Sequence, residues 1–251
     1  AWIERLSRWR RQLPAAGEGM LARAQPQGTP GRGALRALTA RQPPEVTLTR
    51  LLDPDVRHAL VRPGLLGSAH RLREPEDWRW QMIRDRPTAL DRVTALDAQV
   101  YMCDDILVKV DRASMLSSLE VRAPLLDHRL VDFAFRDLPP RLRLVKGVRK
   151  RLLRALARRW LQPGFDVARK QGFAIPIGRW LQGPWAPMVA ELETHGSPLY
   201  DAGAVRQFLA RARGNDRAAN RIFQLLMLEA WRRHYRVDPP VEAGASRGQE
   251  A

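Results

Sequence analysis

A chain of 251 residues is long enough for one domain or two small ones. Its single cysteine, Cys103, excludes an internal disulfide and a cysteine-based zinc site. Such a low cysteine content is typical of proteins in the reducing cytoplasm. No apolar run approaches the roughly eighteen residues of a membrane-spanning helix, so neither secretion nor a membrane partner is expected. The 43 Lys and Arg against 27 Asp and Glu give a net charge of +16. This charge favours partners rich in phosphate. It can equally result from a GC-rich genome, whose codons favour Arg at solvent-exposed positions.

The N-terminal 87 residues predict a loosely packed helical segment. Apolar residues from Trp2 to Trp9 fall at helical spacing, as if the chain entered a helix part-way. Residues 14–45 are rich in Gly, Pro, Ala and Gln and predict a loose connection that holds a short helix over about 34–41. Several short helices are predicted over 45–87. Their apolar stripes pass through Leu51, Leu52, Val56, Leu60, Trp78, Met82 and Ile83.

The helical signal is stronger from Thr88 onward. Thr88 is the predicted N-cap of a helix that ends at Met102, and Asp104 is the predicted N-cap of the next helix. We expect Cys103 to fill a buried position at the end of the first of these helices. The alternating residues 119–123 and Pro124 predict an extended loop after the second helix, from which Glu120 and Arg122 project.

Helices and loops alternate through the rest of the chain, and residues 88–237 are interpreted as the main domain. Asp127 is the predicted N-cap of a further helix, and the tail over 238–251 is polar and predicted to be flexible. Apart from residues 119–123, which are interpreted as a loop, no alternating pattern is longer than three or four residues, so the fold class is predicted to be mainly α. The remaining helices are predicted over 128–137, 147–161, 176–193, 201–212 and 216–234.

Three stretches carry a resemblance to a known family. They are DDILVKVDRASM at 104–115, SLEVRAPLLDH at 118–128 and RKQGFAIPIGRWL at 169–181, preceded by Asp97 and Tyr101. Over residues 88–235 the chain resembles the C-terminal part of the synthetase domain of glutamine-dependent asparagine synthetases. The resemblance implies the helical part of an α/β domain of the adenine-nucleotide α-hydrolase type, the PP-loop ATPases.

The resemblance also implies a reaction. Asparagine synthetases use ATP, with Mg²⁺, to convert aspartate to an acyl-adenylate, and ammonia from glutamine then attacks it. The family's SGGxDS nucleotide loop, its SGEGxDExFxGY acidic segment and its N-terminal cysteine nucleophile are absent from this sequence. The implied partners are therefore the upstream synthetase and glutaminase halves, and a homodimer when the enzyme is complete. Alone, the chain is expected to be inactive.

Five residues are candidates for the site. The resemblance implies that Lys170 is catalytic and binds phosphate, and that Lys150 either supports the same phosphates or pairs with a carboxylate. Glu120 and Arg122 are expected either to shape the substrate pocket and bind the substrate or to form a buried ion pair that fixes the loop. Asp105 either faces the substrate or pairs within its helix. No metal ligands are predicted, because the five histidines lack ligand spacing.

Two alternatives stay open at this point. The chain can belong to a related amide-forming enzyme with another acid substrate, such as a β-lactam synthetase, a lasso-peptide cyclase or a sugar-modifying amidotransferase. It can also be a basic, helical nucleic-acid-binding module. Against that module, the arginines are spread along the chain and no groove-reading motif accompanies them.

Overall fold

The structure is a computed structural model that describes residues 5, 6, 9, 31–50, 52–63, 65, 74–167, 175–212 and 216–239. Helices dominate these ranges, which confirms the mainly α prediction. None of the described helices is long and apolar enough to cross a membrane. The α-helices are α1 (Arg32–Thr39), α2 (Pro44–Thr47), α3 (Pro54–Leu60), α4 (Pro75–Ile83), α5 (Ala89–Leu96), α6 (Val108–Met115), α7 (His128–Asp132), α8 (Pro140–Arg143), α9 (Arg151–Trp160), α10 (Ile177–Gln182), α11 (Ala186–His195), α12 (Ala202–Ala212) and α13 (Asp216–Tyr235).

The described residues form two compact units. The first combines those within 1–14, 42–46 and 75–173, and the second those within 15–41, 47–74 and 174–251. The boundary after residue 87 stays a prediction, because compact units need not coincide with the extent of a family resemblance.

The second unit has a substantial apolar core. Leu60 on α3 and Val205 and Leu209 on α12 are buried together with apolar residues of α10, α11 and α13, as their helical spacing predicted. The helix predicted over 176–193 is instead two helices, α10 and α11, because Gly183 and Pro184 interrupt it. The twelve buried residues of this core are Leu60, Leu181, Leu192, Tyr200, Val205, Leu209, Ala212, Ala218, Ala219, Ile222, Leu225 and Leu226.

The first unit has a much smaller core. Val46, Ile83, Ala95 and Leu96 are its buried apolar cluster. Beside Val46, the fully buried carboxylate of Glu45 accepts hydrogen bonds from Arg92, at 2.9 Å from Nε and 2.7 Å from Nη2. Burial of such a carboxylate is tolerable only because the guanidinium neutralises it.

One long helix crosses the first unit. Helix α5, the eleven-residue π-helical segment Asp97–Leu107 and helix α6 follow one another without a break. The prediction of a helix end at Met102 and a new N-cap at Asp104 is therefore wrong. Cys103, the residue between the two predicted helices, has a backbone N–H and, unlike a proline, does not stop a helix. Cys103 is exposed and its thiol lies 3.1 Å from the carbonyl oxygen of Ala98, so it is not the expected buried filler.

A short β-hairpin precedes α9. Strands β1 (Leu144–Val145) and β2 (Val148–Arg149) pair antiparallel. The turn residues Lys146 and Gly147 both have positive φ, 47° and 83°, as a type I′ turn requires. The helix predicted from Gly147 begins only at Arg151, because residues 144–149 are used by the hairpin.

The start of α5 supports a first prediction. The N-cap at Thr88 is confirmed: its hydroxyl accepts from the Asp91 amide at 3.1 Å and donates to the Asp91 carboxylate at 2.7 Å. Thr88→Ala should lower the free energy of unfolding by about 1 kcal/mol, because it leaves the amide without this acceptor. Urea titration followed by circular dichroism measures this loss.

Thr94 offers a matched control within the same helix. Its hydroxyl donates to the carbonyl oxygen of Leu90 at 2.8 Å, a bond that the helix does not need. Thr94→Ala should therefore leave stability unchanged or raise it slightly, since alanine is the better helix former. Equal losses in the two variants would show that capping at Thr88 contributes nothing.

Candidate active-site segment

An extended loop joins α6 to α7, as the sequence predicted. Ser118 has a φ of 54°, and a 3₁₀ turn at Pro124–Leu126 leads to Asp127. Asp127 is confirmed as the N-cap of α7, since its carboxylate accepts from the backbone amide and guanidinium of Arg129 at 2.9 Å each. These hydrogen bonds lower the pKa of Asp127. The cap thus fixes one end of the loop that presents Glu120 and Arg122.

Glu120 and Arg122 form an ion pair within this loop. Their side chains are 68% and 85% exposed, so the expectation of a buried pair is wrong. An exposed pair of this kind contributes little to stability, about 0 to 1 kcal/mol. Both side chains can therefore exchange this partner for a bound ligand at low cost.

Asp105 lies on the π-helical segment and pairs along the helix. Its carboxylate is 3.5 Å from the ammonium of Lys109, one helical turn further on, and both side chains are about half exposed. The geometry thus matches the pairing that the sequence left open for Asp105. A role in substrate binding stays a prediction.

Lys150 lies between the β-hairpin and α9, with a φ of 57°. Its backbone amide donates to the carbonyl oxygen of Arg143 at 2.9 Å, and its exposed side chain extends from the junction. The surrounding stretch 141–159, here called the cationic hairpin–helix, contains nine basic residues and no Asp or Glu. The nine are Arg141, Arg143, Lys146, Arg149, Lys150, Arg151, Arg154, Arg158 and Arg159.

Only one of these nine cations has an ion-pair partner among the described residues. Arg143 pairs with Asp91 on α5, and both side chains are largely buried. Burial would raise the pKa of Asp91, but hydrogen bonds from Thr88 and Arg143 lower it overall. This anchor was not predicted, because the two residues are 52 positions apart. The other cations remain available to an anionic ligand.

Within the described residues, no hydrogen bond or ion pair joins Asp105 or Lys150 to the Glu120–Arg122 pair. The structure thus brings two of the candidates together and leaves the other two in separate local arrangements.

Comparison with known proteins decides the family. A family model described as asparagine synthase matches residues 4–233. The chain belongs to the asparagine synthase family. It is 34% identical over 93 residues to asparagine synthetase [glutamine-hydrolyzing] 1 of Bacillus subtilis, which covers 37% of this chain and 15% of that protein. It is 32% identical over 146 residues to a putative asparagine synthetase [glutamine-hydrolyzing] of Mycobacterium tuberculosis strain H37Rv, which covers 56% of this chain and 22% of that protein.

The matched region spans less than a quarter of the length of either relative. No solved structure matches the chain. Lys170, which the sequence predicts to bind phosphate, lies outside the described residues. The role of Lys170 stays a prediction.

Asparagine synthase family membership implies the use of ATP. The unpaired cations of the hairpin–helix have the charge that binding of its phosphates requires. Magnesium is a different matter, because it needs several oxygen ligands in one place. In the part of the chain that the structure describes, no three His, Cys, Asp or Glu side chains are grouped to hold a metal ion. The described residues thus contain no preformed all-protein magnesium cage, whereas Mg²⁺ usually binds through one or two carboxylates together with the phosphates of the substrate.

Proposed function

We propose that the chain supplies the C-terminal part of an enzyme that amidates aspartate to asparagine, with ATP and ammonia derived from glutamine. The observation that carries this proposal is the asparagine synthase match over residues 4–233. The chemistry passes through an acyl-adenylate and releases pyrophosphate. Magnesium would be held by the acids of the family's SGEGxDExFxGY segment, which is absent from this sequence.

The chain's own contribution is electrostatic. Negative charge develops on the departing pyrophosphate, and preorganised cations stabilise it best where water is excluded. Lys170 is proposed to supply the main cation, with Lys150 in support. Glu120, Arg122 and Asp105 are proposed to line the pocket for the acid substrate, since the loop pair can open to accept a ligand.

The proposed partners are the upstream synthetase and glutaminase halves that the family resemblance implies. The complete enzyme is proposed to be a cytoplasmic homodimer. Its substrates are aspartate, glutamine and ATP.

A direct test compares the isolated chain with a fusion of the chain to the upstream part of a relative. The isolated chain should show neither ATP–pyrophosphate exchange nor glutaminase activity, because the nucleotide loop and cysteine nucleophile of the family are not in its sequence. Joined to the upstream part of a relative, it should show exchange that depends on aspartate. Exchange by a clean preparation of the isolated chain would contradict the proposed division of the active site.

A change of acid substrate would preserve the reaction. A β-lactam synthetase, a lasso-peptide cyclase and a sugar-modifying amidotransferase all form amides on this scaffold, so exchange should be measured with a panel of carboxylic acids. Exchange that another acid supports better than aspartate would favour one of these relatives.

The nucleic-acid alternative rests on the acid-free cationic hairpin–helix. It predicts affinity for a duplex that falls steeply with salt, because each phosphate contact releases counterions. Filter binding over a range of salt concentrations measures that slope.

A further inference from the structure

The junction between the β-hairpin and α9 is held by Arg143, the last residue of α8. The guanidinium of Arg143 pairs with the carboxylate of Asp91 on α5, and each of the two side chains is only 15% exposed. The backbone carbonyl of Arg143 accepts a hydrogen bond from the amide of Lys150 at 2.9 Å. One residue therefore connects the start of α5 to the backbone of Lys150.

The Asp91 end of this connection is itself fixed. Asp91 lies in the first turn of α5, and its carboxylate accepts a hydrogen bond from the Thr88 hydroxyl at 2.7 Å. The hairpin that Arg143 precedes has only two residues in each strand. A hairpin this short is not stable by itself, so its position depends on attachments such as the pair of Arg143 with Asp91.

Stabilisation of the fold is not a sufficient explanation for this pair. Removing two charges from water costs about as much as their attraction returns, so a buried pair acts chiefly by fixing one conformation. Arg143 adds to the cost, because its buried Nε has no hydrogen-bond partner among the described residues. What the pair fixes is the position of the hairpin on α5.

Lys150 is the residue whose position depends most directly on this attachment. Its backbone is left-handed, with a φ of 57° and a ψ of 40°. Such a conformation is unfavourable for a residue with a Cβ and is retained only where the surroundings impose it. Glycine would adopt it without strain. A lysine at this position therefore favours a role for its exposed side chain.

We propose that Asp91 and Arg143 are positioning residues, which hold the backbone at Lys150 so that its ammonium can contact a phosphate group. This inference rests on the proposed function, in which Lys150 supports Lys170 at the departing pyrophosphate. Arg143 is not itself the phosphate ligand, because it is largely buried and Asp91 balances its charge. A cation that is already in place loses less freedom when it binds an anion.

The test measures the affinity of the full 251-residue chain for inorganic pyrophosphate by titration calorimetry. Asp91→Asn removes a negative charge while it keeps the size of the side chain. If net charge alone mattered, this change would strengthen the binding of an anion. Positioning predicts the opposite sign, and we expect the affinity to fall about fivefold.

The double variant shows whether Asp91 acts through Lys150. Lys150→Ala alone should weaken pyrophosphate binding by a similar factor, about fivefold. The combination of Asp91→Asn with Lys150→Ala should then bind no more weakly than Lys150→Ala, because the positioned side chain is already gone. Independent contributions would instead multiply to about twenty-five-fold.

Asp85→Asn is the matched control. Asp85 follows α4 in the same unit and is 90% exposed, and its carboxylate lies 3.8 Å from Nε of Arg84. The same change of charge there should leave the affinity for pyrophosphate within about twofold of the parent.

Arg143→Lys is a milder variant that keeps the charge. Because an ammonium cannot reproduce the geometry of the guanidinium, it should weaken pyrophosphate binding at least about twofold. Circular dichroism checks that each variant keeps its helices. If Asp91→Asn loses them, Arg143→Lys decides, and an affinity equal to that of the parent would then contradict positioning.

Three results would overturn the proposal. They are no binding of pyrophosphate by the unmodified chain, equal affinities of folded Asp91→Asn and Asp85→Asn, and a multiplied loss in the double variant. The fusion to the upstream part of a relative separates this proposal from the proposed function. Pyrophosphate binding that depends on Asp91 and Lys150, without aspartate-dependent exchange by the fusion, leaves the positioning role intact and refutes the function. Exchange that Asp91→Asn leaves unchanged in the fusion does the reverse.

Discussion

In an enzyme completed by the upstream segments of a relative, Lys170→Ala should lower the rate of ATP–pyrophosphate exchange about a hundred- to a thousandfold. This corresponds to about 2.7 to 4 kcal/mol, the usual cost of removing one charge-stabilising donor from a preorganised site. Lys170 lies in the stretch RKQGFAIP, two residues before Gly172. A glycine there permits the backbone to approach a ligand closely, which suits a lysine that contacts a leaving phosphate.

Lys150→Ala is the matched control. Lys150 is exposed at the start of α9, with other unpaired cations on the cationic hairpin–helix around it. Its neighbours can replace one lost charge, so the rate should fall far less than for Lys170→Ala. The measurement is aspartate-dependent exchange at saturating ATP. A Lys170→Ala rate within about threefold of the parent, less than 1 kcal/mol, would remove the phosphate role from Lys170.

The second large effect concerns Glu229, a buried carboxylate on α13. Four hydrogen bonds converge on it, from Ser197 Oγ at 2.6 Å, from Arg232 at 2.9 and 3.0 Å, and from Arg233 Nε at 2.7 Å. Burial would raise the pKa of Glu229, but these donors outweigh burial and lower it from 4.5 to about 2. The folded state therefore holds the charged form strongly.

Glu229→Gln should lower the free energy of unfolding at neutral pH by about 3 kcal/mol, the equivalent of that pKa shift. The sign follows from proton binding. Below pH 4.5 the Glu229 carboxylate is protonated in the unfolded chain, whereas in the folded chain it stays ionised down to about pH 2. The stabilisation is complete above pH 4.5 and disappears toward pH 2, so the difference between parent and variant should shrink over that interval. Urea unfolding at several pH values measures it.

Glu191→Gln provides the comparison. Glu191 also pairs with Arg233, but its side chain is 47% exposed. An exposed pair of this kind contributes at most about 1 kcal/mol, so Glu191→Gln should have a small effect. A Glu229→Gln variant as stable as the parent at pH 7 would show that the arginines around Glu229 contribute no net stabilisation.

The sequence predicted well those features of the fold that depend on residues close together in the chain. The N-caps at Thr88 and Asp127 depend on groups within three residues of the cap, and the buried faces of α12 and α13 depend on helical spacing. By contrast, the pairing of Arg92 with Glu45 joins residues 47 positions apart. Composition and spacing contain no signal for such a pair.

The candidate site shows the same division. The loop that presents Glu120 and Arg122 was predicted from Pro124 and from residue alternation, and the structure places the two side chains in contact. Their exposure was not predicted, because burial depends on surrounding segments. The hairpin before α9 was missed although Gly147 is a turn residue, because each strand contributes only two residues and leaves no alternation to detect.

The π-helical segment Asp97–Leu107 is a place where the chain can accommodate the deletion of one residue. In π-helical pairing each hydrogen bond spans five residues instead of four, so the segment can lose a residue and return to α-helical pairing. A π-turn contains about one residue more than an α-turn for the same rotation, so α5 and α6 would stay joined and α6 would keep nearly its present facing. Lys109 and Asp111 would stay close to their present directions. The loss of one residue should therefore be tolerated better here than inside α5 or α6, where it would turn the rest of the helix by about 100°.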